Sequence, residues 1–388
     1  MSNFVHLHLH TQYSILDGAS KISELMEIAS ERGMPAVAIT DHGNMFGVKE
    51  FHNAAKKAGI KPIIGVEAYV ARRGMTENTS KDDRSGDHFI LLAKNYTGYM
   101  NLVKLVSLSW TKGFYYKPRI DKDLLKKYNE GIIATSACIA GEIPTAILNN
   151  NFDTAEEVAL EYREIFGDDF YLEIQRHKTG DPVFDNDTFA KQNTVIEAYR
   201  ELSAKTGIRV VASNDVHFLK AEDAEAHDRL ICLNTGKELD DPDRLRYTKQ
   251  EYFKTEEEMR EIFSDYPEAV DNTMAVADKV ENYELNHEPI MPEFPIPDEF
   301  TDKDEYLRHQ AYKGAKERWG EISKELEERL NFELDTIKKM GYPGYFLIVQ
   351  DFLRAARQMG VSVGPGRGSA AGSAVAYSLR ITDIDPIK

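Results

Sequence analysis

The chain is poor in cysteine, in positive charge and in long apolar runs. Its 388 residues include two cysteines, Cys138 and Cys232. That is too few for a disulfide framework and fits a reducing, cytoplasmic compartment. No stretch approaches the roughly 20 apolar residues that a membrane-spanning helix needs. No charged segment followed by an apolar one opens the chain, so no secretory leader is expected. Lys and Arg number 48 against 65 Asp and Glu, a formal net charge of −17. A protein that coats nucleic acid by general basicity is thereby excluded. Any nucleic-acid contact must come from a local basic patch or from bound cations. What remains, with 42% hydrophobic and 29% charged residues, is ordinary globular composition. The length suffices for two domains, or for one large barrel with an appended piece.

Short β-branched runs alternate with amphipathic segments from residue 4 to about 235. The predicted strands are 4–10, 36–40, 61–66, 88–93, 131–135, 169–174 and 208–213, and helical patterns cover 21–32, 48–58, 154–166 and 186–206. Repeated strand–helix units imply an α/β fold, a distorted (βα)7-type barrel with a parallel sheet. The polar run 73–87 reads as a long surface loop. Three segments are expected: a barrel over 1–280, a Pro-rich linker over 281–300, and a charged, helical piece over 301–388.

The first strand reads Phe4-Val5-His6-Leu7-His8-Leu9-His10. Alternation sets Val5, Leu7 and Leu9 on one face and the three histidines on the other. Same-face neighbours lie about 7 Å apart, near enough for two imidazoles to share an ion. In a barrel, functional residues gather at the carboxyl ends of strands. There the sequence places His8, His10, Asp17, Asp41, His42, Glu67, Cys138, Asp215 and His217; His88 is the exception, because it begins its strand. Each has an ordinary structural reading when taken singly: turn acids, a small buried thiol, a satisfied histidine. Their joint placement is what that reading leaves unexplained. Imidazole, carboxylate and thiolate together suit zinc, manganese or iron, and a set this large exceeds the needs of one tetrahedral ion. Ions about 4 Å apart with a bridging carboxylate suit phosphodiester hydrolysis.

The His-Leu-His pattern at 6–10 with Thr-Asp-His-Gly-Asn at 40–44, Gly-Val-Glu-Ala-Tyr at 65–69, Cys138 and Asn-Asp-Val-His at 214–217 resemble the motifs of PHP (polymerase and histidinol phosphatase) domains. YSILDGA, TDHGNMFG, GIKPIIGVEAY, GFYYKPRID, SNDVHF and GPGRGSAAGSAVAYSLRITDIDP resemble the N-terminal region of bacterial replicative DNA polymerase alpha subunits. The resemblance implies a PHP barrel followed by the beginning of a polymerase palm, with the chain stopping in mid-domain and not synthesising DNA alone. It implies three divalent ions (Zn, Mn or Fe). His8, His10, Glu67 and Asp215 would hold one, Glu67, His88 and Cys138 a second, and Asp17, His42 and His217 a third. Asp215, Glu67 and His10 would be the catalytic residues of a 3′–5′ exonuclease. Asp41 would orient a ligand histidine, and His6 would lie outside the site. Implied partners are DNA at a primer 3′ end, and in the longer protein an incoming deoxynucleotide with magnesium. A sliding clamp, a clamp loader and a separate exonuclease subunit follow from the same resemblance. Two alternatives stand beside this: a metal-stapled structural module, and a phosphatase of small phosphoesters.

Near the C-terminus, the same resemblance implies that Arg367, Gly368, Ser369 and Ser373 contact the triphosphate. Read from the residues alone, this glycine loop before a small-residue helix is equally an anion loop or a helix-packing motif. Asp383 and Asp385 read as a solvated turn rather than a paired metal site. Residues 94–128 carry eight Lys and Arg against two Asp, among Tyr96, Tyr99, Trp110, Phe114, Tyr115 and Tyr116. Such a stretch is either a base-stacking surface or a helix with a core aromatic face.

Overall fold

A computed structural model describes residues 2–388 apart from Pro289 and Arg367. It divides into two compact units, residues 1–285 and 286–388. The first is built on eight strands: β1 (Ala36–Ile39), β2 (Lys61–Val70), β3 (Asp87–Ala93), β4 (Phe114–Tyr115), β5 (Lys117–Ile120), β6 (Ile132–Thr135), β7 (Phe170–Ile174) and β8 (Arg209–Ala212). The order is β4-β5-β2-β3-β6-β7-β8, with β1 on β2.

The α/β barrel is present, but its sheet is mixed. β3 runs antiparallel to both β2 and β6, whereas β1–β2, β6–β7 and β7–β8 are parallel. No crossover helix joins β2 to β3, only residues 71–86, so the chain returns in the opposite direction. This loop is less free than its polar composition suggests. The buried Arg119 guanidinium donates to the carbonyls of Gly113, Met75, Glu77 and Asp83 at 2.6–3.1 Å and pins its base.

Residues 4–10 are extended but do not form a regular strand. Ala38 N donates to His6 O at 3.0 Å, Thr40 N to Leu9 O at 2.8 Å, and His10 N to Val216 O at 2.7 Å. The segment therefore lies between β1 and the chain beyond β8, and draws the two sheet edges together. Hydroxyls take the remaining ladder positions: Leu9 N donates to Thr40 Oγ1 and Val5 N to Thr273 Oγ1. That substitution is why alternation predicts a strand and the backbone pattern falls short of one.

The inward faces explain the location of the site. Period two sets Ile63, Gly65 and Glu67 on one face of β2, Leu92, Ile90 and His88 on one face of β3, and Val211, Ser213 and Asp215 in line along and beyond β8. Ile63, Ile90, Leu92, Ile133, Tyr171 and Val211 pack into one buried cluster with Val276, Ala277 and Val280 from the end of helix Pro267–Lys279. Each such aliphatic side chain contributes about 1.5–3 kcal/mol on burial. Polar residues begin where this plug ends.

Lys254 is buried, its Nζ 3.8 Å from the Tyr252 ring centroid and donating to Gln250 O. Burial pushes its ammonium down to about 8 from 10.5. Between those values the unfolded chain binds more protons than the folded one, so stability rises with pH across that window. Lys254→Met is expected to stabilise the protein by about 1–3 kcal/mol at pH 7, with the gain fading by pH 10. The Gln250 carbonyl keeps its second donor, Asn214 Nδ2 at 2.8 Å. Thermal melts across pH would check this; a pH-independent loss of stability would contradict it.

The second unit packs helices Lys303–Trp319, Lys324–Lys339, Pro343–Gln358 and Ala374–Ser378 around Leu307, Leu330, Leu334, Leu347 and Val375.

Candidate metal centre

The nine side chains singled out as metal ligands come together at one end of the barrel. His8 Nε2 lies 3.1 Å from His10 Nε2, 3.0 Å from Asp215 Oδ1 and 3.6 Å from Glu67 Oε1. His10 Nε2 lies 3.2 Å from Asp215 Oδ1 and 3.4 Å from Glu67 Oε2. Glu67 also meets His42 Nδ1 at 2.6 Å and His88 Nδ1 at 2.8 Å. Cys138 Sγ is 3.6 Å from His88 Nδ1. Asp17 Oδ1 is 3.5 Å from His42 Nε2. The His10 ring stacks on those of His42 and His217, centroids 4.1 and 4.3 Å away.

His88 belongs here because β3 is antiparallel. Its register partner is Tyr69, two residues past Glu67 on β2, so the start of β3 sits at the carboxyl end of β2. Among the described residues, three overlapping triads have ligand atoms within 4.8 Å of one another: His8–His10–Glu67, His42–Glu67–His88 and His10–His42–His217. His42 thus faces Glu67 as well as Asp17, and the groups interlock more than a threefold division suggests.

Four buried atoms at this centre, Asp17 Oδ1, His42 Nδ1, Glu67 Oε2 and Asp215 Oδ1, have no aligned hydrogen-bond partner among the described residues. Buried acceptors are normally satisfied. Three carboxylates, five imidazoles and a thiol, with acceptors left over, form a donor set that fits divalent cations.

The electrostatics follow from packing charges into a dry space. Burial opposes charge on His42, but Glu67 and Asp17 overcome it and push the imidazole up to about 10. Burial, helped by His42 and His217, pushes His10 down to about 3. Burial would raise Glu67, yet His88, His42 and His8 hold it well below the usual carboxylate range. Asp215 is lowered likewise against burial, by His8 and His217. Burial and then the charges of Glu67 and Asp215 push the Cys138 thiol well above its usual range.

Several positioning groups were not visible in the sequence motifs. Glu173 accepts from His8 Nδ1 at 2.7 Å and from Gln175 Nε2 at 3.1 Å, and from the hydroxyls of Thr135 and Ser213. An acid inside the otherwise apolar run 170–174 was its only signal. Ser14 Oγ sits 3.0 Å from His10 Nδ1 and donates to Asp41 Oδ1 at 2.8 Å. Asp41 therefore reaches His10 through Ser14. The Tyr247 hydroxyl lies 2.9 Å from Asp17 Oδ2 and 3.0 Å from His217 Nε2; its loop carries no motif. His6 points elsewhere: its Nε2 donates to Lys254 O at 2.9 Å, and burial pushes the ring down to about 3.

In the second unit, Arg367 lies outside the described residues. Gly368 and Ser369 begin an exposed 3-10 turn, Gly368–Gly372. Gly366 has φ +109°, and a Cβ there would lie 2.8 Å from Thr382 Cγ2, so glycine is required. Ser373 is engaged internally: it donates to Glu333 Oε2 at 2.7 Å, and Glu333 also accepts from Ala374 N and Val375 N. The donors at this helix start are thus taken by an internal carboxylate. Asp383 pairs with Arg318 and Arg357, while Asp385 accepts from Trp319 Nε1. Neither acid is poised toward the other.

Comparison with known proteins is consistent with both units. The PHP domain family matches residues 6–177, and the bacterial DNA polymerase III alpha NTPase domain family matches 305–388. The DNA polymerase III subunit alpha of Borreliella burgdorferi is 47% identical over 392 residues, covering 100% of this chain and 33% of that protein. That of Helicobacter pylori is 44% identical over 413 residues, covering 99% and 33%. That of Treponema pallidum is 42% identical over 389 residues, covering 100% and 32%. The chain thus spans about one third of the length of the curated relatives it matches. A PHP domain, a match to the alpha-subunit NTPase domain and 42–47% identity along the whole chain identify it: the chain corresponds to the N-terminal third of the bacterial DNA polymerase III alpha subunits.

Proposed function

We propose that the barrel mouth is a metal-dependent phosphodiester-hydrolysing centre that removes nucleotides from a DNA 3′ end. It would serve DNA replication within a longer DNA-directed DNA polymerase. The observation that carries this reading is the convergence of four imidazoles on one buried carboxylate, Glu67, at 2.6–3.6 Å. His8, His10, Asp17, His42, Glu67, His88, Cys138, Asp215 and His217 would hold divalent transition-metal ions. When bound, such ions acidify a water and neutralise an attacked phosphate.

The chain's own residues set the ligand geometry. Glu173 and Ser14 take the Nδ1 protons of His8 and His10, which leaves both Nε2 lone pairs aimed at Asp215 and Glu67. Tyr247 holds Asp17 and His217 against each other. Asp215, Glu67 and His10 lie at the centre and would carry most of the catalytic effect. In the longer protein, an incoming deoxynucleotide with magnesium would meet the second unit. A sliding clamp, a clamp loader and a separate exonuclease subunit are the partners this reading assigns, in the cytoplasm.

The test is a 5′-labelled primer mispaired at its 3′ terminus, incubated with the purified chain and manganese, zinc, iron or magnesium in turn. Metal-dependent loss of the terminal nucleotide is the expected result. Stability to all four metals would defeat the reading. Glu173→Gln is a finer probe: an amide in place of the acceptor of His8 Nδ1 is expected to weaken metal binding about 10- to 100-fold. Competition with a chromogenic chelator measures this, and unchanged affinity would contradict it.

A further inference from the structure

Beside the centre, the first unit exposes a row of aromatic rings that no part of the core uses. Phe46 is 59% exposed, Trp110 43% and Phe114 52%. Trp110 stacks on Phe114 with centroids 5.3 Å apart and planes inclined by 18°, and the Phe46 ring lies 6.2 Å from that of Trp110. The row is tied to the metal centre. Trp110 Nε1 donates to the Gly43 carbonyl at 2.8 Å, and Gly43 follows His42 directly. Lys117 Nζ lies 5.2 Å from the centroid of Tyr69, whose ring is in turn 6.2 Å from that of His42 and 5.2 Å from that of His88. Lys112, exposed, sits between Trp110 and Phe114 in sequence. Tyr116 is not part of the row, since the Arg84 guanidinium covers its ring at 5.0 Å.

Three half-exposed rings are a poor choice for a merely solvated surface, and helix Tyr96–Thr111, which carries Trp110, buries a different set, Leu102 and Leu105. They are a good choice for nucleobases, because every base has a π-face and stacking does not depend on sequence. Local cations suit a phosphate backbone in a chain whose overall charge is −17. We propose that Phe46, Trp110 and Phe114, with Lys112 and Lys117, form a stacking platform that leads a single-stranded nucleic-acid end to the His42 side of the metal centre. This rests on the hydrolytic reading above and names its substrate form: an unpaired strand end rather than a duplex or a small phosphoester.

The experiment uses the 388-residue chain in chelator, so that binding is read without turnover. The probe is a fluorescent oligothymidylate of about 12 nucleotides. Trp110→Ala is expected to weaken binding about 10-fold, and Trp110→Ala with Phe114→Ala about 100-fold. Trp110→Phe, which keeps a ring but loses the bond to Gly43, is expected to stay within about 3-fold of wild type. Phe46→Ala, whose ring has no structural bond to lose, guards against a folding artefact and should cost about 10-fold. Wild-type affinity in the double variant would overturn the proposal. So would tighter binding of a blunt duplex, which would mean charge alone, or no oligonucleotide binding at all, which would leave the face to a protein. Loss of binding in these variants with no excision by wild type would uphold the platform and sink the hydrolytic reading. Excision by wild type with unaltered binding in the variants would do the reverse.

Discussion

Asp215→Asn is expected to lower 3′ excision by about 10²- to 10³-fold or more while leaving the barrel folded. The backbone at Asp215 has φ +48°, a left-handed conformation that Asn tolerates better than other residues, so the swap adds no strain. Shape is nearly conserved, and what disappears is one negative charge. That charge faces His8 Nε2 at 3.0 Å and His10 Nε2 at 3.2 Å. Both histidines are fully buried, so no solvent replaces the lost carboxylate. Mismatch excision and near-ultraviolet circular dichroism on the same preparation check the two halves. Undiminished excision would remove the activity from this centre. A lowered melting temperature in a protein that excises nothing even as wild type would favour a structural staple.

Stripping metal is expected to lower the melting temperature of the first unit by about 10 °C. A ligand held at about a thousand times its dissociation constant stabilises the folded state by about 4 kcal/mol. Each kcal/mol moves the midpoint of a domain this large by about 2–4 °C. The effect should be large because the buried carboxylates of Asp17, Glu67 and Asp215 face one another across imidazoles, with acceptor atoms left unaligned. Calorimetry before and after chelation, with metal restored in a third run, measures it. A midpoint insensitive to chelation would mean that the imidazole–carboxylate contacts suffice by themselves.

The convergence of these side chains was legible because most of them obey strand periodicity. Glu67 and Asp215 continue the inward faces of Ile63 and Val211 beyond the apolar plug. His88 looked misplaced only because pairing direction is not written in a single strand. It takes the loop connection at 71–86 to reverse β3 and bring its first residues to the mouth. Residues 4–10 misled in the opposite way: perfect alternation predicted ladder bonds that Thr40 and Thr273 hydroxyls supply instead. The hairpin of β4 and β5 was missed because β4 has two residues and β5, Lys117-Pro118-Arg119-Ile120, contains a proline and no apolar run. Glu173 and Tyr247 were missed because they reach His8 and Asp17 from distant parts of the chain, which no local pattern records, and Ser14, four residues from His10, because a single serine in a loop carries no signal. In the aromatic stretch, neither simple reading held throughout. Leu102 and Leu105 form the buried face of the helix, while Trp110 and Phe114 stay exposed beyond it.

The nine side chains are proposed to hold the ions of a metal-dependent phosphodiesterase. The most direct test is restoration of chelator-stripped protein by stepwise addition of manganese, with terminal excision of a mispaired primer as the readout. Excision is expected to be absent in the stripped protein and to rise to a plateau at about three equivalents of metal. Full excision by stripped protein, or none at any metal level, would contradict it.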